Sequence, residues 1–234
     1  MKKSHPRTAA IILAAGIGSR MLTDKTKQTI NILGKSVLRR SLEAFDEAET
    51  VREIVVVSRE EERDFVNKEC HELSKPFTIV NGGSCRAESA ANGFKAVGDD
   101  CEFVLIHDAA RCLITPDEIN SVAFSAYEHG AATASLPITD TVKTCSSDLI
   151  VTGTLKRENL RSVQTPQGFS KAIYKDALES CSSFTAEITD DNMLVEKIGI
   201  FPFCVNTLST NIKITAPSDI ELAEYIIMKR TKEE

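Results

Sequence analysis

Ile11-Ile12-Leu13-Ala14-Ala15-Gly16-Ile17-Gly18-Ser19-Arg20-Met21, with Lys27 six residues further on, carries the most information in this chain. An apolar run of buried-strand length ends abruptly in two alanines and two glycines. Small residues there let successive backbone N–H groups approach a ligand closely and cradle an anion. Arg20 and Lys27 place two positive charges just beyond the turn, as a polyphosphate requires. A plain strand-to-loop turn with incidental charges is the bland alternative, and the coincidence of loop and cations weighs against it. A Walker loop would need Gly-x-x-x-x-Gly-Lys-Ser/Thr, which does not occur. A dinucleotide fingerprint would need a third glycine where Met21 stands.

Outward from this loop the chain alternates strand and helix. Short β-branched runs at Ala9 to Ala14, Glu53 to Val57, Phe77 to Val80 and Phe103 to Ile106 are separated by helix-like stretches. Those helices are Val37 to Ala48, Glu60 to Leu73, Glu88 to Val97 and Pro116 to His129. The alternation predicts a mostly parallel sheet with helices on both faces, a Rossmann-like α/β fold. Ligands in such sheets bind at the carboxyl ends of strands, where Gly16, Gly82 and Asp108 fall.

The rhythm changes after a further strand at Ala131 to Leu136. Asp140 to Thr144 and Val151 to Leu155 flank the polar turn Cys145-Ser146-Ser147-Asp148 and read as a hairpin. With few apolar residues of its own, it predicts an arm at about 137–160 that a second subunit covers. Helices follow at Lys171 to Cys181 and Asp190 to Ile198, strands at Phe201 to Val205 and Ile212 to Thr215, then a last helix from Ser218 to about Lys229. The expectation is one domain over 1–234 with a projecting arm.

Composition narrows the function. In 234 residues, 42% hydrophobic, a full core needs no staples. Seven cysteines form no C-x-x-C and no Cys/His cluster, so neither a metal centre nor a disulfide framework is expected, and a cytoplasmic, reduced protein is. No apolar stretch approaches the ~18 residues of a membrane span, and the short apolar run after the basic N-terminus does not read as a signal peptide. A net charge of −6 argues against general nucleic-acid affinity. An anionic substrate must then be met by cations converging from distant parts of the chain.

Four further segments are candidates. Gly82-Gly83-Ser84-Cys85-Arg86-Ala87-Glu88-Ser89 follows a strand and opens a helix, so its backbone can line a pocket or simply make a turn. His107-Asp108-Ala109-Ala110-Arg111 closes an apolar strand; an Asp there can hold a ribose hydroxyl or Mg2+, or cap a helix beside Arg111. Arg157 lies at the end of the arm, where charges are usually solvated. Strand alternation points Lys213 away from Ile212 and Ile214, towards water or towards a ligand.

Taken in order, these motifs resemble the 2-C-methyl-D-erythritol 4-phosphate cytidylyltransferase family. The landmarks are LAAGIGSRM with Lys27-Gln28, GGSCRAES, HDAAR, DTVK, QTPQGF at 164–169, TDD at 189–191 and NIKIT. Thr26, Thr29 and Cys112 depart from the family pattern, replacing a proline, an aromatic and a proline; Thr26 puts loop rigidity in question. The resemblance implies a nucleotidyltransferase joining CTP to methylerythritol phosphate with release of pyrophosphate, Mg2+ carried mainly by the CTP phosphates, and a homodimer. It implies that Ala14, Ala15, Gly16 and Gly18 wrap the phosphates while Arg20 and Lys27 stabilise their charge. Gly82, Gly83 and Ser89 would read cytosine. Asp108 would touch the ribose and acceptor hydroxyls, with Arg111 and Thr165 nearby, and Lys213 would orient the acceptor phosphate. Arg157 and Thr141 would reach that phosphate from the other subunit's arm. The rivals are a ribitol-5-phosphate cytidylyltransferase, an NAD-dependent oxidoreductase and a non-catalytic nucleotide-binding module.

Overall fold

The computed structural model describes residues 5–16 and 26–233. In chain order the elements are β1 (Thr8–Leu13), β2 (Asn31–Ile32), β3 (Lys35–Ser36), α1 (Val37–Glu47), β4 (Val51–Ser58) and α2 (Arg63–Cys70). Next come β5 (Phe77–Asn81), α3 (Arg86–Lys95), β6 (Phe103–Asp108), α4 (Pro116–His129), β7 (Ala131–Pro137), β8 (Lys143–Cys145) and β9 (Val151–Thr154). The chain ends with β10 (Arg161–Ser170), α5 (Lys171–Ser180), α6 (Asn192–Glu196), β11 (Phe203–Asn206) and α7 (Pro217–Glu233).

Local chemistry sets the helix ends. Ser36 accepts the Arg39 N–H at 2.9 Å to cap α1. Thr115 and Glu118 close a reciprocal capping box on α4, which has Pro116 in its first turn and Gly130 at φ +79° behind it. Only a residue without a Cβ takes that left-handed turn at little cost.

Seven strands form one sheet in the order β11-β7-β10-β6-β1-β4-β5. β1 pairs in parallel with both β4 and β6, β4 with β5, and β7 with β11. Only β10 runs antiparallel, wedged between β6 and β7. The predicted mostly parallel α/β sheet is therefore present. Alternation along the strands splits the core over its two faces: Ala10, Ile12, Ile54 and Val56 pack with Leu38, Leu42 and Phe45 of α1, while Ala9, Ile11, Val55 and Val57 pack with Ala90 of α3 and Tyr174 of α5.

Two expectations need correction. β10 is not anticipated from sequence, because Pro166 and Gly168 interrupt it; the β7 ladder jumps from Val163 to Gln167, which leaves Pro166, with no N–H to donate, off the ladder. Conversely, Ile212 to Thr215 is no strand. It is an extended segment tied down where Ile214 N–H donates to the Ala110 carbonyl at 2.8 Å. The hairpin is present as β8 and β9, a separate two-stranded sheet whose residues are nearly all exposed. All seven cysteines are free thiols.

Candidate active site

β1 meets β4 on one side and β6 on the other, so consecutive βα units depart in opposite directions at its carboxyl end. The crevice left there is the expected ligand position in an open α/β sheet. It holds a cavity of about 410 Å3 lined by Ala15, Gly16, Lys27, Gln28, Gly83, Cys85, Arg86, Ser89, Asp108 and Lys213, among others. Three of these side chains are cationic and one is anionic, in a chain of net charge −6. Such local concentration of positive charge suits an anionic ligand.

The first wall comes from β1. Ala14 spends its N–H on the Val57 carbonyl at 2.7 Å, which pins the strand end and leaves Ala15 and Gly16 facing the cavity. The Gln28 amide donates to the Ala14 carbonyl and, at 3.2 Å, to that of Gly16, so the segment carrying Lys27 is fastened to the loop it serves. The Thr26 hydroxyl donates to the Glu62 carboxylate. That tether holds the position where the family pattern has proline. Gly18 and Arg20 lie outside the described residues.

The second wall is the turn into α3. A Cβ on Gly82 would sit 2.5 Å from the Ala15 Cβ, so the two loops pass at backbone contact. A Cβ on Gly83 would collide with the Glu88 side chain. The Gly83 N–H donates to the Ser89 hydroxyl at 3.0 Å, and that hydroxyl donates to the Cys85 carbonyl at 2.9 Å. Ser89 thus shapes the turn from within while lining the cavity.

The floor is electrostatic. Asp108 ends β6, and its two oxygens accept from different cations: Arg86 Nε at 3.0 Å and Lys213 Nζ at 2.6 Å. Burial alone would push this carboxyl up, but the charges of Arg86 and Lys213 outweigh it and hold Asp108 well below the usual carboxylate range. Its N–H donates to the Thr165 hydroxyl of β10 at 3.1 Å, and that hydroxyl also meets His107 Nδ1 at 3.0 Å. Full burial pushes the His107 imidazole down to about 3, so this histidine is neutral. Lys213 faces the cavity while its neighbour Ile214 is fully buried, so alternation holds although no strand forms.

Other sequence candidates lie elsewhere. Arg111 turns its guanidinium to the Asn211 carbonyl at 3.1 Å, and its link to Asp108 is through the backbone, N–H to carbonyl at 2.9 Å. Arg157 donates to the Thr139 carbonyl at 2.7 Å within the arm; like Thr141 it is exposed, and neither lines the cavity. Sequence reading assigned no role to Arg86 or to Asp191, which accepts from Arg86 Nη1 at 2.6 Å. Arg86 did carry a signal: a cation in the first turn of a helix opposes the helix dipole and calls for a partner.

A profile of the family described as 2-C-methyl-D-erythritol 4-phosphate cytidylyltransferase (IspD) matches residues 8–229. The chain belongs to that family. The cytidylyltransferase of that name from Alkaliphilus oremlandii is 39% identical over 227 residues, 96% of each chain. The one from Caldanaerobacter subterraneus is 39% identical over 224 residues, covering 94% of this chain and 99% of its relative. Among solved structures, the 4-diphosphocytidyl-2C-methyl-D-erythritol synthase of Anaerococcus prevotii superposes with a TM-score of 0.81 at 28% identity, over 95% of this chain and 96% of that one. The Francisella tularensis cytidylyltransferase does so with a TM-score of 0.78 at 29% identity, over 94% and 99%. Membership of this family favours the methylerythritol phosphate cytidylyltransferase reading over the ribitol phosphate, oxidoreductase and non-catalytic alternatives.

Proposed function

We propose that this chain transfers the cytidylyl group of CTP to the phosphate of 2-C-methyl-D-erythritol 4-phosphate, a step of non-mevalonate isoprenoid biosynthesis. The observation that carries the reading is that Lys27, Arg86 and Lys213 line one cavity of nucleotide size at the carboxyl ends of β1 and β6, where Asp108 lies between Arg86 and Lys213. An acceptor phosphate oxygen forms a bond to the α-phosphorus of CTP, the bond from that phosphorus to the bridging oxygen breaks, and pyrophosphate leaves with the electron pair. The protein's part is positioning and charge stabilisation.

In this reading the side chains divide the work. Ala14, Ala15, Gly16 and Gly18 wrap the triphosphate, with Arg20 and Lys27 on its developing charge. Gly82, Gly83 and Ser89 bound a slot that suits a pyrimidine. Asp108 serves the ribose and acceptor hydroxyls, held in place by Thr165, and Lys213 takes the acceptor phosphate. Arg111 supports the Asp108 turn from behind.

Among the described residues no group of three or more His, Cys, Asp or Glu side chains converges to hold a metal ion, and both Asp108 oxygens already face cations. Mg2+ would be carried by the CTP phosphates, where it would neutralise charge on the leaving group.

The unit is one nucleotidyltransferase domain that works as a homodimer, with Arg157 and Thr141 reaching the acceptor from the second subunit's arm. Leu149, Ile150 and Val151 expose 84%, 67% and 57% of their surface at the hairpin tip, an apolar patch that a second copy would cover. No helix among the described residues is long and apolar enough to cross a membrane.

Pyrophosphate release tests the reading, with CTP, UTP, ATP and GTP each offered methylerythritol phosphate or ribitol 5-phosphate. The expected result is turnover with CTP and methylerythritol phosphate, and a penalty of several kcal/mol against bases that leave buried polar groups unpaired. Equal use of ATP, or turnover confined to ribitol 5-phosphate, overturns it.

A further inference from the structure

Behind the cavity floor the charges continue into the core. Asp191, fully buried, lies between α5 and α6. Its side-chain oxygens accept from Arg86 Nη1 and from the Tyr174 hydroxyl, each at 2.6 Å. Its own N–H donates to Gln167 Oε1 at 2.9 Å, a residue of the antiparallel strand. Arg86 is thus gripped by two carboxylates, Asp191 through Nη1 and Asp108 through Nε, and Asp108 passes the alternation on to Lys213. The third guanidinium nitrogen, Nη2, is buried without a partner among the described residues.

The geometry points to Asp191 as a positioning residue for the transfer reaction, acting through Arg86 on the orientation of Asp108. Three considerations carry it. A buried ion pair is weak support for a core, since well-packed apolar residues of similar volume often serve as well or better; what it supplies is a fixed geometry. A guanidinium is a planar fork, so fixing two of its nitrogens fixes the direction of the third. Finally, among the described residues the Asp108 carboxylate accepts side-chain hydrogen bonds from Arg86 and Lys213, so rotation of the guanidinium would move that carboxylate and, with it, the ammonium of Lys213. Outer partners of this kind typically change function by about 10- to 100-fold when removed, as they do behind metal ligands.

The inference rests on the cytidylyltransferase reading, which wild-type turnover in the same assay tests separately. Three variants are compared for kcat/KM in pyrophosphate release and for melting temperature. Asp191→Asn is expected to lower kcat/KM about 10- to 100-fold. Tyr174→Phe strips the other side-chain partner from the same carboxylate, and is expected to lower the melting temperature while leaving kcat/KM within about threefold. The double variant Arg86→Gln with Asp191→Asn removes the buried pair without stranding a charge, and is expected to fold yet lose at least as much activity as Asp191→Asn. A merely structural role makes activity follow melting temperature across all three, which would overturn the inference. So would wild-type kcat/KM in the double variant. If Asp191→Asn does not fold, the double variant decides; if neither folds, the pair belongs to the core and the inference fails.

Discussion

Lys213 and Asp108, 105 residues apart in sequence, meet at 2.6 Å across the cavity, and the lysine is the more exposed partner. An ammonium carries three donors. It can therefore keep one on Asp108 and turn the others to an incoming phosphate, so the pair holds the cation ready rather than occupying it. Lys213→Ala is expected to lower kcat/KM for the acceptor about 10²-fold while leaving the CTP dissociation constant nearly unchanged. Titration of CTP alone beside steady-state kinetics separates the two; an equal loss in both would move Lys213 to the nucleotide.

Lys27 is carried by a segment fastened to the Ala14 and Gly16 carbonyls through Gln28. It is expected to act on charge that grows during transfer. Lys27→Ala should reduce kcat by about 10²–10³, or ~3–4 kcal/mol, with a smaller effect on CTP affinity. Near-wild-type turnover in single-turnover measurements would remove it from the reaction.

Gly82 gives a steric prediction. The Cβ of Gly82→Ala would lie 2.5 Å from the Ala15 Cβ, and neither methyl can rotate away. The β1 loop must shift, so CTP affinity should fall while most of the core is untouched. Calorimetric binding alongside thermal melting checks this, and unchanged CTP affinity would mean the loops do not meet around the nucleotide.

Arg157 and Lys213 are expected to serve one site from two subunits. Neutralising Arg157 should weaken acceptor use more than CTP binding. Mixing Arg157→Ala with Lys213→Ala subunits should restore part of the activity, since one site of a mixed dimer keeps both residues. A fully active monomer in sedimentation, or no recovery in verified mixed dimers, would count against shared sites.

His107 gives a pH dependence. Burial holds its imidazole at about 3 in the folded chain, against about 6.5 when unfolded. Between those values the unfolded state binds the proton and the folded state does not, so stability falls as pH drops from 6.5 towards 3. The slope is at most about 1.4 kcal/mol per pH unit for this one group. Urea unfolding at several pH values should show a shallower decline in His107→Gln, and an unchanged slope would assign the acid sensitivity elsewhere.

The legible parts of this chain were those written in local periodicity. β-branched runs spaced by amphipathic stretches made the parallel sheet visible, and the glycine turns marked the strand ends where the cavity lies. β10 was illegible because Pro166 and Gly168 in QTPQGF break every strand rule, and only burial between β6 and β7 makes that segment extend. The NIKIT segment misled in the opposite way. Its alternation is real, with Ile214 buried and Lys213 facing the cavity, yet it pairs with no strand.

The sequence specified the α/β class and which residues carry charge near strand ends, because backbone propensity and side-chain period act over a few residues. Tertiary structure alone decided which charges meet. Arg86 reaches Asp191 across 105 positions and Lys213 reaches Asp108 across as many. An ion pair acts over a few ångströms of space, and no local pattern in a chain records what the sheet order brings within that distance.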